Sequence, residues 1–202
     1  MPVLEITQLC LKGITADDPA LLQTLSAVRD KLQTNSQFYV SVEEPDLIFI
    51  LGIWPDLDAH LKFLASPARE EVLGPQEDML EFRWTIHVEF GGMHLIPADA
   101  PILAMERMYV KGEQVESVDR AVIKHMQQLK TTHPFNVAHG WRCDMAPGDH
   151  EVLLISGWET TQAHVTLVKK ESNDKDSVAV EDEGLKMLGV LHGKNLERKA
   201  AS

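Results

Sequence analysis

The chain has 202 residues, is 44% hydrophobic and carries a formal net charge of -12. That length supplies a substantial core for one large domain or two small ones, and so acidic a chain excludes nucleic acid and anionic lipid as favoured partners. It shows neither an apolar run long enough to span a membrane nor a basic-then-apolar leader at Met1-Pro2-Val3-Leu4-Glu5. No membrane and no secretory route is therefore expected. Cys10 and Cys143 read as free thiols, buried as small apolar residues in a reducing, cytoplasmic setting.

In chain order, Leu4 to Lys12 reads as a strand. Asp18 then offers an N-cap with Pro19 at the first helical position, and Leu21, Leu25, Val28 and Leu32 recur at helical spacing. Gln37 to Glu43 alternates Phe38, Val40 and Val42 against Tyr39, Ser41 and Glu43, a strand period. After the turn Glu44-Pro45-Asp46, Leu47 to Trp54 is apolar on both faces, as a central strand is. A helix is predicted from near Asp56, broken near Ser66-Pro67 and running towards Gly74-Pro75, and Glu81 to Phe90 alternates again as a strand. Gly91 to Pro101 is a linker. Ile102 to Lys111 is a strand, Val115, Val118, Val122, Met126 and Leu129 mark a helix face, and Asn136 to Met145 and Glu151 to Trp158 are strands about the turn Ala146-Pro147-Gly148-Asp149. A helix from near Thr161, an exposed loop at Glu171 to Ser177, a short helix around Asp182 to Leu188 and a strand from Val190 to Leu196 complete the chain.

The two halves repeat one pattern. Trp54-Pro55-Asp56-Leu57-Asp58-Ala59-His60 and Trp158-Glu159-Thr160-Thr161-Gln162-Ala163-His164 both read W-x4-A-H after a glycine-containing apolar run, and Leu4 to Gly13 matches Leu103 to Gly112. The reading is α+β: tandem ferredoxin-like βαββαβ repeats over 1–90 and 102–199, joined by the linker 91–101. Each unit leaves one sheet face uncovered, and two such faces can bury each other in a single-chain barrel around a small-molecule pocket.

Within Glu81 to Phe90, strict alternation places Phe82, Trp84, Ile86 and Val88 on one face and Arg83, Thr85, His87 and Glu89 on the other. A polar row of that kind is a candidate site, or else a solvated strand face. His87 suits proton transfer near neutral pH, and Arg83 could hold an enolate or phenolate oxygen. Trp84, Glu89 and Tyr39 are candidate substrate contacts. In the second half, His139 and Trp141 share a face where the first half carries Tyr39 and Ser41. An aromatic ligand could stack on Trp141 there. His60 and His164, like Trp54 and Trp158, are equivalent by repetition and are expected to pack helix on strand, the histidine rings bonded to backbone. His94 and His133 fall beside linker or turn residues. The nine histidines include no H-x3-H, H-E-x2-H or C-x2-C spacing, so no metal site is expected. No phosphate-binding loop and no nucleophile elbow occurs.

The W-x4-A-H motif after a central strand, in a duplicated βαββαβ chain, resembles the dimeric α+β barrel superfamily. In particular it resembles fungal proteins with two antibiotic-biosynthesis-monooxygenase-like (ABM) domains. The resemblance implies a cofactor-independent enzyme of secondary metabolism acting on an aromatic or polyketide-like small molecule, as a monomer or homodimer. His87 would start the reaction by removing a proton. The carbanion then meets oxygen, as in a monooxygenase, or goes on as in a polyketide cyclase or a dehydratase. A non-catalytic ligand-binding or stress-response barrel is the other reading. The H-P-x-H segment of plant-type polyketide cyclases is replaced by Ser66-Pro67-Ala68-Arg69, and the first-strand asparagine of haem-degrading members is absent from Glu5, Thr7 and Gln8. No haem or other cofactor is expected.

Overall fold

In a computed structural model, residues 1–132, 134–173 and 185–198 are described. They form two compact units, Met1–Met93 with the described residues from Gly193 onward, and His94–His192. The described elements are chiefly α-helices and antiparallel strands.

The first unit runs β1 (Val3–Leu11), α1 (Pro19–Leu32), β2 (Gln37–Ser41), β3 (Leu47–Trp54), α2 (Leu57–Leu64), α3 (Ala68–Glu77) and β4 (Leu80–Glu89). Its strands lie in the order β4-β1-β3-β2, and Gly193–Asn195 pair with β2 from Tyr39 to Ser41. α1 starts where Asp18 accepts a hydrogen bond from the Ala20 N–H at 2.8 Å, with Pro19 opening the helix. It ends at Gln33, whose φ of 56° is left-handed and cannot continue the helix. Leu21 and Leu25 on its inner face pack with Leu9, Leu11, Phe38, Ile48 and Leu80. This cluster shows that the odd-numbered side of β1 faces the helices. Leu4, Ile6 and Gln8 take the opposite face.

Pairing on both sides of β1 sets what lies beside what. Glu5 is opposite Gly52 on β3 and His87 on β4, and Thr7 is opposite Ile50 and Thr85. The β1–β4 ladder then shifts between Gln8 and Leu9, with Trp84 opposite Gln8 but Phe82 opposite Leu9. Arg83 is the extra residue of this bulge. Strict alternation therefore fails at this point. The bulge carries Phe82 to the His87 side of the sheet and sets Arg83 outside the ladder, and both side chains are exposed. The break at Ser66-Pro67 separates α2 from α3. Gly74-Pro75, by contrast, does not end the segment, because α3 passes through Pro75 to Glu77 and gives up one backbone hydrogen bond.

The second unit runs β5 (Ile102–Lys111), α4 (Val115–Thr132), β6 (Val137–Trp141), β7 (Asp149–Trp158), α5 (Thr161–Asn173) and β8 (Leu185–Asn195), in the strand order β8-β5-β7-β6. Two expectations change. Leu185 to Leu188 belong to β8 and not to a helix: Leu185 and Met187 are half-buried while Lys186 and Leu188 are exposed, which is strand alternation. Glu171 to Asn173 continue α5. The rest of the expected loop to Ser177, the start of the short helix at Asp182, and His133 lie outside the described residues.

Gly157, next to the motif tryptophan, is required by space. A Cβ there would sit 2.5 Å from the Phe135 Cβ, 2.7 Å from the Ala100 Cβ and 2.8 Å from the Pro97 Cβ. Those atoms are fixed to backbone, so Gly157→Ala must move main chain and should cost about 1–3 kcal/mol. A urea midpoint unchanged from wild type would show that the contact is relieved in solution. No helix among the described residues is long and apolar enough to cross a membrane.

Candidate active site

The W-x4-A-H motif has a simple mechanical basis. Trp54 ends β3, and two residues later Asp56 accepts from the Ala59 N–H at 2.7 Å, capping α2. His60 is then the next residue after Ala59, and helical side chains lean back towards the helix N-terminus. Its ring stacks on Trp54 with centroids 4.5 Å apart. In the second unit Thr160 accepts from the Ala163 N–H at 3.1 Å, and His164 meets Trp158 at 4.8 Å.

Each helix histidine then meets a strand histidine and a carboxylate. His60 Nδ1 lies 2.6 Å from His87 Nε2, and His60 Nε2 lies 3.6 Å from Glu5 Oε2. His164 Nδ1 lies 2.8 Å from His192 Nε2, and His164 Nε2 lies 3.3 Å from Glu106 Oε1. All four imidazoles are buried. The expected bonding of His60 and His164 to backbone is thus replaced by side-chain relays. Glu5, Glu106 and His192 are the members that sequence reasoning missed. The available signal was a histidine 27 or 28 residues after each motif histidine, at His87 and His192.

The carboxylate sets the tautomers. An ionised glutamate favours N–H on the nitrogen facing it, which for His60 is Nε2. Nδ1 of His60 is then the acceptor and His87 Nε2–H the donor. This leaves the lone pair of His87 on Nδ1. The same logic puts the lone pair of His192 on its Nδ1. A proton taken up by His87 can be shared along the relay towards Glu5.

The two carboxylates are held differently. Glu5 accepts from the Trp54 indole N–H and from the Thr7 hydroxyl, each at 2.6 Å, and Thr7 meets Thr85 at 2.8 Å. In the second unit Ile102 pairs with Trp158 as Val3 pairs with Trp54. Ala104 therefore stands at the register position of Glu5, and Glu106 at that of Thr7. Ser156, opposite Ala104, takes the Trp158 indole N–H at 2.7 Å.

Burial pushes the His60 pKa below its ordinary 6.5, with Glu5 acting to raise it and His87 to lower it further. The unfolded chain then binds the proton more readily than the folded one, so this residue's contribution to stability is present above about pH 6.5 and is lost as the pH falls through the folded value. A denaturation midpoint that decreases as the pH is lowered from 7 to 5, less steeply in His60→Gln, is the expected result.

The remaining candidates separate. His87 lies in the relay on the helix side of β4. Arg83, about 13 Å away along the strand, interacts with Cys10 and with Glu81 at 3.3 Å, contacts that raise its pKa. The structure does not bring Arg83 and His87 together. Glu89 is exposed at the far end of β4. Trp84 is on the opposite face, 6.3 Å from Phe49. Tyr39 is on that face too, with its hydroxyl donating to Gln37 Oε1 at 2.5 Å and its ring against Gly193. Trp141 donates to Asp119 Oδ1 on α4 at 2.9 Å, and His139 Nε2 lies 3.3 Å from the same oxygen, so both face a helix. By pairing, His139 opposite Leu154 corresponds to Phe38 opposite Ile50, one place from the Tyr39 expected. Among the described residues no group of three or more His, Cys, Asp or Glu side chains is arranged so that it could hold a metal ion.

No protein-family profile matches the sequence, and no curated protein matches it. Solved structures do resemble it. An anthrone oxidase-like protein superposes with a TM-score of 0.62 at 13% identity, over 96% of its length and 99% of this chain. A heme-binding protein from Thermus thermophilus gives 0.59 at 12%, over 90% of its length and 96% of this chain. A variant chlorite dismutase from Candidatus Nitrospira defluvii gives 0.61 at 11%, over 90% and 96%. At these identities the likeness is one of fold alone.

Proposed function

We propose that the chain is a cofactor-independent enzyme that deprotonates an aromatic or polyketide-like small molecule, with His87 as base and Glu5–His60 as its support. The observation that carries this reading is the Glu5–His60–His87 relay: two buried rings 2.6 Å apart with a carboxylate at the far end. Such an arrangement can take one proton and hold the resulting charge. The proton leaves carbon or phenol oxygen as a C–H or O–H bond breaks, an N–H bond forms on His87, and the electron pair stays on the substrate as an enolate or phenolate. The protonated pair faces that anion, a role expected of Arg83.

The substrate anion can then meet dioxygen, and the fold shared with an anthrone oxidase-like protein favours this ABM-like monooxygenase outcome over cyclisation or loss of water. The chain is further read as two copies of one βαββαβ unit, 1–90 and 102–199, with 91–101 between them.

The test is oxygen uptake by the purified protein with anthrone, with mass spectrometry of the product. Oxygen consumption and a product heavier by one oxygen atom support the monooxygenase. An isomeric product, or one lighter by water, moves the reading to a cyclase or dehydratase with the same first step. No turnover of anthrone or of related quinols favours the non-catalytic barrel.

A further inference from the structure

The second relay is not a copy of the first. Its carboxylate stands two residues further along the first strand of its unit, at the register position of Thr7, and reaches the same nitrogen of the same motif histidine. The position of Glu5 is vacated to Ala104, and the indole that would have bonded there turns to Ser156. The packing around the tryptophan has thus changed while the order carboxylate, helix histidine, strand histidine is kept. A buried carboxylate is costly to keep, and an apolar residue would fill the same space. Its retention at a new position points to a demand on the histidine pair itself, not on the fold.

We propose that the second unit holds a second proton-abstracting site, with His192 as the base and His164 and Glu106 as its positioning residues. It takes the same class of substrate, an acidic C–H or phenolic small molecule, and in this it rests on the reading of the first site. The step balances as before: the substrate C–H bond breaks, the proton goes to the His192 imidazole, and the electron pair remains on the substrate as an enolate.

Deuterium wash-in at the methylene carbon of anthrone, followed by mass spectrometry in D2O under argon, reads this step without any later chemistry. The full-length wild type, His87→Gln, His192→Gln and the double variant are compared, with Glu106→Gln as a second probe of the same site and circular dichroism of each. Each single variant is expected to keep a measurable fraction of the wild-type rate, on the order of a tenth or more, and the double variant to lose roughly 10²–10⁴-fold. Glu106→Gln should slow exchange in the His87→Gln background and displace its pH profile. If His87→Gln alone removes all exchange, the second site is overturned and the first stands. If His192→Gln removes it and His87→Gln does not, the second stands and the first falls. Exchange at the solvent rate in the wild type overturns both.

Discussion

Replacing His87 with alanine in a His192→Gln background should lower the rate of substrate deprotonation roughly 10²–10⁴-fold, the range lost when a positioned general base is removed. The effect is large because both other relay members act through this ring. His60 reaches His87 Nε2 at 2.6 Å, and Glu5 bears on His60 from its other side. Glu5→Gln is the informative companion. It keeps the shape and the Trp54 contact but removes the charge that raises the His60 pKa. The relay then takes up a proton less readily. The acid limb of the pH–rate profile should move to lower pH, and the plateau should fall by at most about tenfold per pKa unit. Single-turnover rates across pH 5–9 for His192→Gln, alone and combined with His87→Ala or Glu5→Gln, check this. A loss below about threefold on adding His87→Ala to His192→Gln would remove His87 from the role. An unmoved acid limb in Glu5→Gln would make the carboxylate a packing element only.

Local signals in the sequence lead to part of this site. Asp56 and Thr160 are caps readable from residue type, and a cap four residues before a histidine fixes the ring over the preceding strand. Alternation along β4 places His87 on the same side as Thr85, as observed. Glu5 is a different matter. It joins the relay at His60 and stands opposite His87 only because β1 pairs with β4 across some eighty residues, and no local pattern encodes that register. Alternation also cannot foresee the bulge at Arg83, where no glycine marks the extra residue. His192 lies within the strand predicted from Val190 to Leu196, but its contact with His164 on α5 is a tertiary one that no local pattern encodes. Matching Leu4 to Gly13 with Leu103 to Gly112 already sets Glu5 against Ala104 and Thr7 against Glu106, as strand pairing does, but that Glu106 still reaches the motif histidine shows only in the structure.

The largest stability effect is expected at Glu151. Its side chain is 1% exposed, yet it accepts from Arg107 Nε at 2.5 Å, Arg107 Nη2 at 3.2 Å and Arg142 Nη1 at 2.9 Å. Arg142 also donates from Nε to Asp144 at 2.5 Å. Two cations about one buried anion form a charge-assisted cluster, with Asp144 balancing the second arginine. Glu151→Ala removes the shared acceptor and leaves both guanidinium groups facing each other, each about a fifth exposed. Breaking a buried pair from one side costs about 3–5 kcal/mol. The expected result is a much lower denaturant midpoint for Glu151→Ala, and a smaller loss for Glu151→Gln, which retains one acceptor oxygen. Adding Arg107→Met to Glu151→Ala should return part of the loss, because the one guanidinium then left without Glu151, that of Arg142, still meets Asp144. A loss below about 1 kcal/mol in Glu151→Ala would mean that the cluster behaves as a solvated surface pair. The position matters for the site as well. The cluster links β5, β7 and the residue that follows β6, and β7 leads directly into Trp158 and the capped helix that carries His164. Loosening it should therefore disturb exchange at His192 before exchange at His87.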